Sequence, residues 1–211
     1  MDILARGYNA LRGGEKAEQT PHDTISTLVA RLGAPSLGDR RAAILSLRAL
    51  ARDFPEEVGG AGFSHILLLL GSDADDADVL KATVDVLNAL CSHNPVFVEM
   101  FIKDPAPVAI LLNLLAQQDF YIRYAVVQFL TTLIGNSPAL HSHALNDAIM
   151  HAPMGISRLI DLLADKREII RNGVCFFVVF FTSQTNQSNG NCQRASFSSL
   201  LSLAQTPISR K

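Results

Sequence analysis

Several groups of side chains in this chain could in principle do chemistry, and each can be held against the spacing that chemistry requires. Cys91 and His93 offer a thiolate–imidazole pair. Two positions apart on a helix, they point about 200° away from each other around the axis, so the imidazole cannot activate the thiol. Nucleophilic catalysis would also need a third group to orient the base. The acidic run SDADDAD at 72–78 offers oxygens to a calcium ion. A calcium loop needs ligands at positions 1, 3, 5 and 12 and glycine at position 6. Counted from Asp73, those last three places hold Ala77, Val84 and Asp78, so the run reads as a solvated acidic turn capping the next helix. His141, His143 and His151 have no cysteine partner at metal-ligand spacing and read as surface or helix-end residues. RGGEK at 12–16 lacks the frame of a phosphate-binding loop. Asn186-Gln187-Ser188 is a formal glycosylation sequon that a cytosolic chain does not use. The expectation is therefore no enzyme, no metal and no cofactor.

The arginines are the better candidates, for contact rather than catalysis. Arg40 and Arg41 open one long helix, Arg123 and Arg171 occupy one position of a repeat described below, and Arg158 stands between them. These five are the candidate partner-binding residues. The blander expectation is that they lie along the protein's own surface and pair with acids between repeats, such as Asp39 or Asp119.

The bulk composition agrees with a binding protein. The chain has 211 residues, 48% apolar and 18% charged, with a net charge of −2. That is a globular composition with enough chain for a sizeable core. The charge is uneven: residues 71–165 carry four basic and eleven acidic groups, while 166–211 carry six basic and one acidic. An acidic middle would repel a phosphate backbone, which argues against a nucleic-acid partner. Three scattered cysteines read as reduced thiols of a cytosolic protein. The start, MDILARGYNALRGG, does not read as a signal peptide. The longest apolar run, VCFFVVFF at 174–181, is under half of the roughly 20 residues that a spanning helix needs.

Helical periodicity dominates. Thr20 is placed to cap a helix that starts at Pro21, carries Asp23 in its first turn and buries Ile25, Leu28, Val29 and Leu32, with Gly33 at its end. A second helix follows in GDRRAAILSLRALARDF, with Ile44, Leu47 and Leu50 on one face. Further helices read at about 61–70, 76–92, 95–103, 106–116, 119–135, 138–149, 154–164 and 167–182. Punctuators such as DFPEEVGG, SHNP and KDPAP separate them. No period-two alternation reads as a strand.

The helices repeat. Residues 110–133 overlay 158–181 without a gap, at an offset of 48 residues. Leu47, Leu87, Leu130 and Val178 occupy one equivalent position, and Leu50, Leu90, Leu133 and Phe181 another. Spacings of 40, 43 and 48 residues are the period of armadillo or HEAT units. The expected architecture is all-α: an armadillo/HEAT-like right-handed α-solenoid of about four repeats over residues 1–182, incomplete at its C-terminal side. The 174–181 run then falls on the long helix of the last repeat, and 183–211 reads as a divergent, polar, poorly ordered tail.

Three blocks carry a family resemblance: 24–59, 118–134 and above all APMGISRLIDLLADKREIIRN at 152–172. Over residues 1 to about 172 the chain resembles the N-terminal head of the general vesicular transport factor family, the coiled-coil tethers of ER-to-Golgi traffic, in a fungal-type form. The resemblance implies a head that works by binding, without enzymatic activity. It implies a Rab-type small GTPase, SNAREs and other tethering proteins as partners. It places the protein in the cytoplasm, peripheral on Golgi and transport-vesicle membranes. No short motif of the family marks the GTPase contact. After Asn172 the chain departs from the family pattern: no further repeat, acidic tail or dimerising coiled coil follows, so the expectation is a truncated product with a rewritten end. An armadillo-type nuclear-import adaptor is the competing expectation. Such adaptors rely on tryptophan ladders, and this chain has no Trp.

Overall fold

The structure, a computed structural model, describes residues 20–72, 76–137 and 142–188. The 12–16 motif, the middle of the acidic run, His141, Cys192 and the tail from 189 lie outside the described residues. The described residues form ten helices and no strand: α1 (Pro21–Leu32), α2 (Leu37–Asp53), α3 (Pro55–Ser72), α4 (Ala77–His93), α5 (Pro95–Ile102), α6 (Pro105–Leu114), α7 (Phe120–Asn136), α8 (Ser142–His151), α9 (Gly155–Leu162) and α10 (Glu168–Ser188).

Most of these helices begin where a side-chain oxygen can replace a missing carbonyl partner. Thr20 accepts from the amide of Asp23 at 3.2 Å and Ser36 from that of Asp39 at 3.4 Å. Asp76, Asn94, Asp104 and Asp119 do the same for α4, α5, α6 and α7. Each such cap is worth about 1 kcal/mol. Proline follows the cap at α1, α5 and α6, where its missing N–H costs nothing. Gly33 ends α1 at φ −87°, so it stops the helix without adopting the left-handed conformation.

Two layers result. The long helices α2, α4, α7 and α10 stack side by side in chain order. The helices α1, α3, α6 and α8–α9 form the second layer, each set packed on its long helices and on the next set. The core between the layers is continuous from Ile25 to Phe181. Phe101 meets Phe129 edge-on with ring centroids 5.0 Å apart, and Phe63 stacks on Phe97 at 5.5 Å. The equivalent leucines are core as the repeat requires: Leu47, Leu87, Leu130 and Val178 are all buried.

The architecture is the expected armadillo-like α-solenoid. The apolar 174–181 run is helical and belongs to α10, which continues through polar residues to Ser188. One expectation is corrected. The segment from Pro55 to Gly60, read as a break before a helix at 61–70, is the first turns of α3. Pro55 stands at the first helical position with Glu56 and Glu57 in the first turn, which is a start signal rather than a stop. Gly59 and Gly62 are there for packing. A methyl group on Gly59 would overlap the Phe97 ring, and one on Gly62 would come 2.7 Å from a Val29 methyl. The helix expected from 138 is described from Ser142.

Candidate protein-interaction surface

The repeat aligns Arg40, Leu80, Arg123 and Arg171, and three of the four share one local arrangement. Each arginine sits just inside the start of a long helix and folds back over the turn before it. The guanidinium of Arg40 donates to the carbonyls of Ala34 (2.7 Å) and Pro35 (2.9 Å). Arg123 donates to Gln117 and Gln118, both at 2.8 Å. Arg171 donates to the carbonyl of Asp165 at 2.6 Å. Carbonyls in a turn after a helix lack intrahelical partners, and a fixed cationic fork satisfies them. Leu80 cannot do this, and α4 has no such strap.

Asp165 ties the last two repeats together. Its carboxylate lies 3.0 Å from Arg123, with the two side chains only 10% and 15% exposed. It also accepts from the amide of Arg167 at 2.8 Å. The Arg167 guanidinium in turn lies 4.3 Å from the centre of the Phe120 ring, which stacks on Tyr124. Arg158 bonds to Asn113 on α6 and lies 3.4 Å from the Pro153 carbonyl. Arg41 reaches from α2 to Asp78 in the first turn of α4 and to Asp76, the cap of that helix. All five arginines therefore engage their own chain. The acids they meet are not the expected Asp39 and Asp119: Asp119 is occupied as the α7 cap, and Asp39 lies in the first turn of α2.

Sequence reasoning passed over Arg48, Asp78, Asp85 and Asp165. Arg48 lies 3.3 Å from Asp85, which also holds Lys81 at 2.7 Å. The pairs Arg41–Asp78 and Arg48–Asp85 are each 37 residues apart, one helical turn short of the 40-residue offset. That regular spacing was a readable signal for a ladder between adjacent long helices.

The outer side of the long-helix layer is a surface with one end unlike the other. On α2 it presents Arg41, Leu45, Arg48 and Arg52, of which Arg41, Leu45 and Arg52 are exposed. The equivalent places hold Lys81 and Asp85 on α4, then Tyr124 and Gln128 on α7. On α10 they hold Asn172, Phe176 and Val179, all exposed. The surface runs from cationic, through paired and polar, to apolar.

Other candidate chemistry does not assemble. Cys91 is buried, and burial pushes its thiol pKa up, away from the reactive thiolate. His93 lies toward Glu56 instead, 3.6 Å away. His151 bonds the Asp147 carbonyl at 2.8 Å. Among the described residues no group of His, Cys, Asp and Glu is placed to hold a metal, and no helix is long and apolar enough to cross a membrane.

Known proteins resemble this chain in sequence and in fold. No family model matches the chain. It is 32% identical over 202 residues to the general vesicular transport factor p115 of Bos taurus, a match spanning 86% of this chain and 20% of that protein. The chain is related to the general vesicular transport factors. It is also 30% identical over 188 residues to the intracellular protein transport protein uso1 of Schizosaccharomyces pombe, spanning 84% of this chain and 17% of that protein. These identities do not separate animal from fungal relatives. The chain spans about a fifth of the length of the vesicular transport factors it matches. Among solved structures, Uso1-1 superposes with a TM-score of 0.67 at 23% identity, over 77% of this chain and 29% of that one. A computationally designed armadillo repeat protein superposes at 0.66 and 17% identity, over 85% of this chain and 70% of that one. At such identities these structures carry the fold alone, and the fold is the armadillo-like one.

Proposed function

We propose that this chain is the armadillo-like, non-enzymatic, protein-binding part of a vesicle tether acting in ER-to-Golgi and intra-Golgi traffic. The observation that carries the reading is the 32% identity to a vesicular transport factor over 86% of the chain. The stacked long helices support it, because a solenoid offers recurring positions along one continuous surface, and such surfaces dock protein partners. The partners are a Rab-type small GTPase, SNAREs and other tethering proteins. The protein is peripheral on Golgi and vesicle membranes and reaches them through those partners. The repeat-bearing part includes all of α10, which runs to Ser188. Of the five candidate arginines, Arg41 is the one best placed for a partner, since it is the exposed member of the set. Arg40, Arg123, Arg158 and Arg171 act mainly by holding the repeats in place.

The test is sedimentation of the purified chain with Golgi-enriched membranes. Binding that is lost after protease treatment of the membranes supports the reading. Equal binding to protein-free liposomes, or no binding to either, overturns it.

A further inference from the structure

The second layer is open between α6 and α8. A cleft of about 580 Å³ lies there. Its walls are Ala106 and Ala109 of α6 and Ala144 and Ala148 of α8, with Ile102 from the end of α5. Side chains this small leave the space between the two helices unfilled. The gap is local. Just past α8, a side chain on Gly155 would begin 2.8 Å from a Leu112 methyl of α6, so the packing there is closed. Ala106 and Ala144 are exposed, so the cleft opens to solvent. Among the described residues, none that lines it belongs to a long helix, so this surface is separate from the one that carries Arg41.

The turn after α8 displays an apolar side chain at the edge of this cleft. Ala152 and Pro153 line it, and Met154 follows with φ at 60°. A left-handed backbone is costly for a residue with a Cβ. Met154 is nonetheless 64% exposed, so packing within the chain does not offset that cost. Arg158 holds the turn against α6, through Asn113 and the Pro153 carbonyl. A methionine at such an edge adapts its flexible, polarisable side chain to an apolar partner. The charges at the rim are few. Lys103 and Asp104 stand side by side and offset each other, and Asp104 also caps α6. The His151 ring bonds the Asp147 carbonyl. The Asp147 carboxylate is exposed and makes no ion pair among the described residues. With His151 neutral, the rim is left with one negative charge.

We propose that this cleft docks an amphipathic helix of a protein partner. The partner's apolar side chains enter between α6 and α8 and meet Met154, and a Lys or Arg on its flank faces Asp147. The dimensions fit. Ala144, Ala148 and Ala152 come four residues apart and span about 12 Å. That length takes two turns of a bound helix, whose apolar residues at i and i+4 lie on one side. A small molecule in so open a cleft would keep much of its surface in water, whereas a helix brings a polar face of its own. The Asp147 charge and the acidic excess of residues 71–165 select a basic partner over an acidic one. This inference is independent of the tethering role.

The probe is a fluorescently labelled amphipathic helix made of leucine and lysine only, titrated with the full chain and followed by anisotropy. Saturable binding is expected, together with slower hydrogen exchange at 102–109 and 144–154. The double variant A106L/A144L, changed at exposed positions, fills the cleft and is expected to weaken binding about tenfold or more. D147K is expected to weaken it about fivefold, and M154S about threefold. Circular dichroism checks that each variant keeps its helices, and should A106L/A144L fail to fold, the exposed D147K and M154S carry the test. No saturable binding, equal binding of the leucine–glutamate counterpart, or binding that none of the variants weakens would overturn the proposal. So would a dimer of the chain, seen by sedimentation, that A106L/A144L dissociates, because a second copy would then occupy the cleft.

Discussion

The α7 and α10 helices are two copies of one element with different neighbours. Both bury a phenylalanine at the same position, Phe129 and Phe177. They differ on the side that faces the next repeat. Val127 is covered by α10, while its equivalent Cys175 is half open. Thr131 is half-buried, while Val179 is exposed. The repeat position decides which way a side chain points. The neighbour decides whether pointing there buries it. Burial at this position is thus a property of pairs of repeats.

This contrast predicts a graded set of effects. The largest is at the covered interior. Phe129→Ala is expected to destabilise the protein by about 3–5 kcal/mol, since the cavity lies between packed layers. Cys175→Ala, on the open side of α10, should change stability by less than about 1 kcal/mol. Urea unfolding monitored by circular dichroism measures both. Next comes the ion pair that joins the two helices. Arg123→Gln leaves Asp165 nearly buried without its partner and should cost about 3 kcal/mol. The exposed Arg41→Gln should cost no more than about 1 kcal/mol. Equal costs for the two arginines would break the distinction between strap and surface.

A smaller effect separates two adjacent glycines. Gly59→Ala pushes into the Phe97 ring and should cost about 1–3 kcal/mol. Gly60, with nothing within 4 Å of an added methyl, should gain about 0.5–1 kcal/mol on the same change. Thermal melting of the two variants gives shifts of opposite sign. The mildest test is chemical. Burial raises the Cys91 pKa, so at pH 8 its thiol stays protonated in the folded protein and resists iodoacetamide. In urea its pKa returns toward the ordinary value and alkylation proceeds. Half-buried Cys175 should react before Cys91 in the native state, and peptide mass mapping reads the order of the two.

Much of this fold is legible in the amino-acid sequence alone. Leucine periodicity and the 40-, 43- and 48-residue spacings locate the long helices and their buried stripes, because a repeat must bury the same face each time. Thr20 and Pro21 mark a helix start by local chemistry. Gly59 misleads, since glycine reads as a breaker until the ring packed against it is known. The arginine straps are half legible. Applying the repeat offsets to Arg123 and Arg171 leads back to Arg40, yet the carbonyls they satisfy lie in turns whose course no periodicity predicts. Asp165 is hidden for the same reason: its three roles arise from where a loop passes, not from its spacing on a helix.

The most direct test of a tethering role is a titration of the purified chain with a Rab-type small GTPase in its GTP and GDP forms, followed by fluorescence anisotropy. A vesicle-tether binding module predicts saturable binding that favours the GTP form and weakens in Arg41→Glu without loss of helical signal. No saturable binding to either form across a panel of Golgi Rab proteins, up to high micromolar chain, would contradict it.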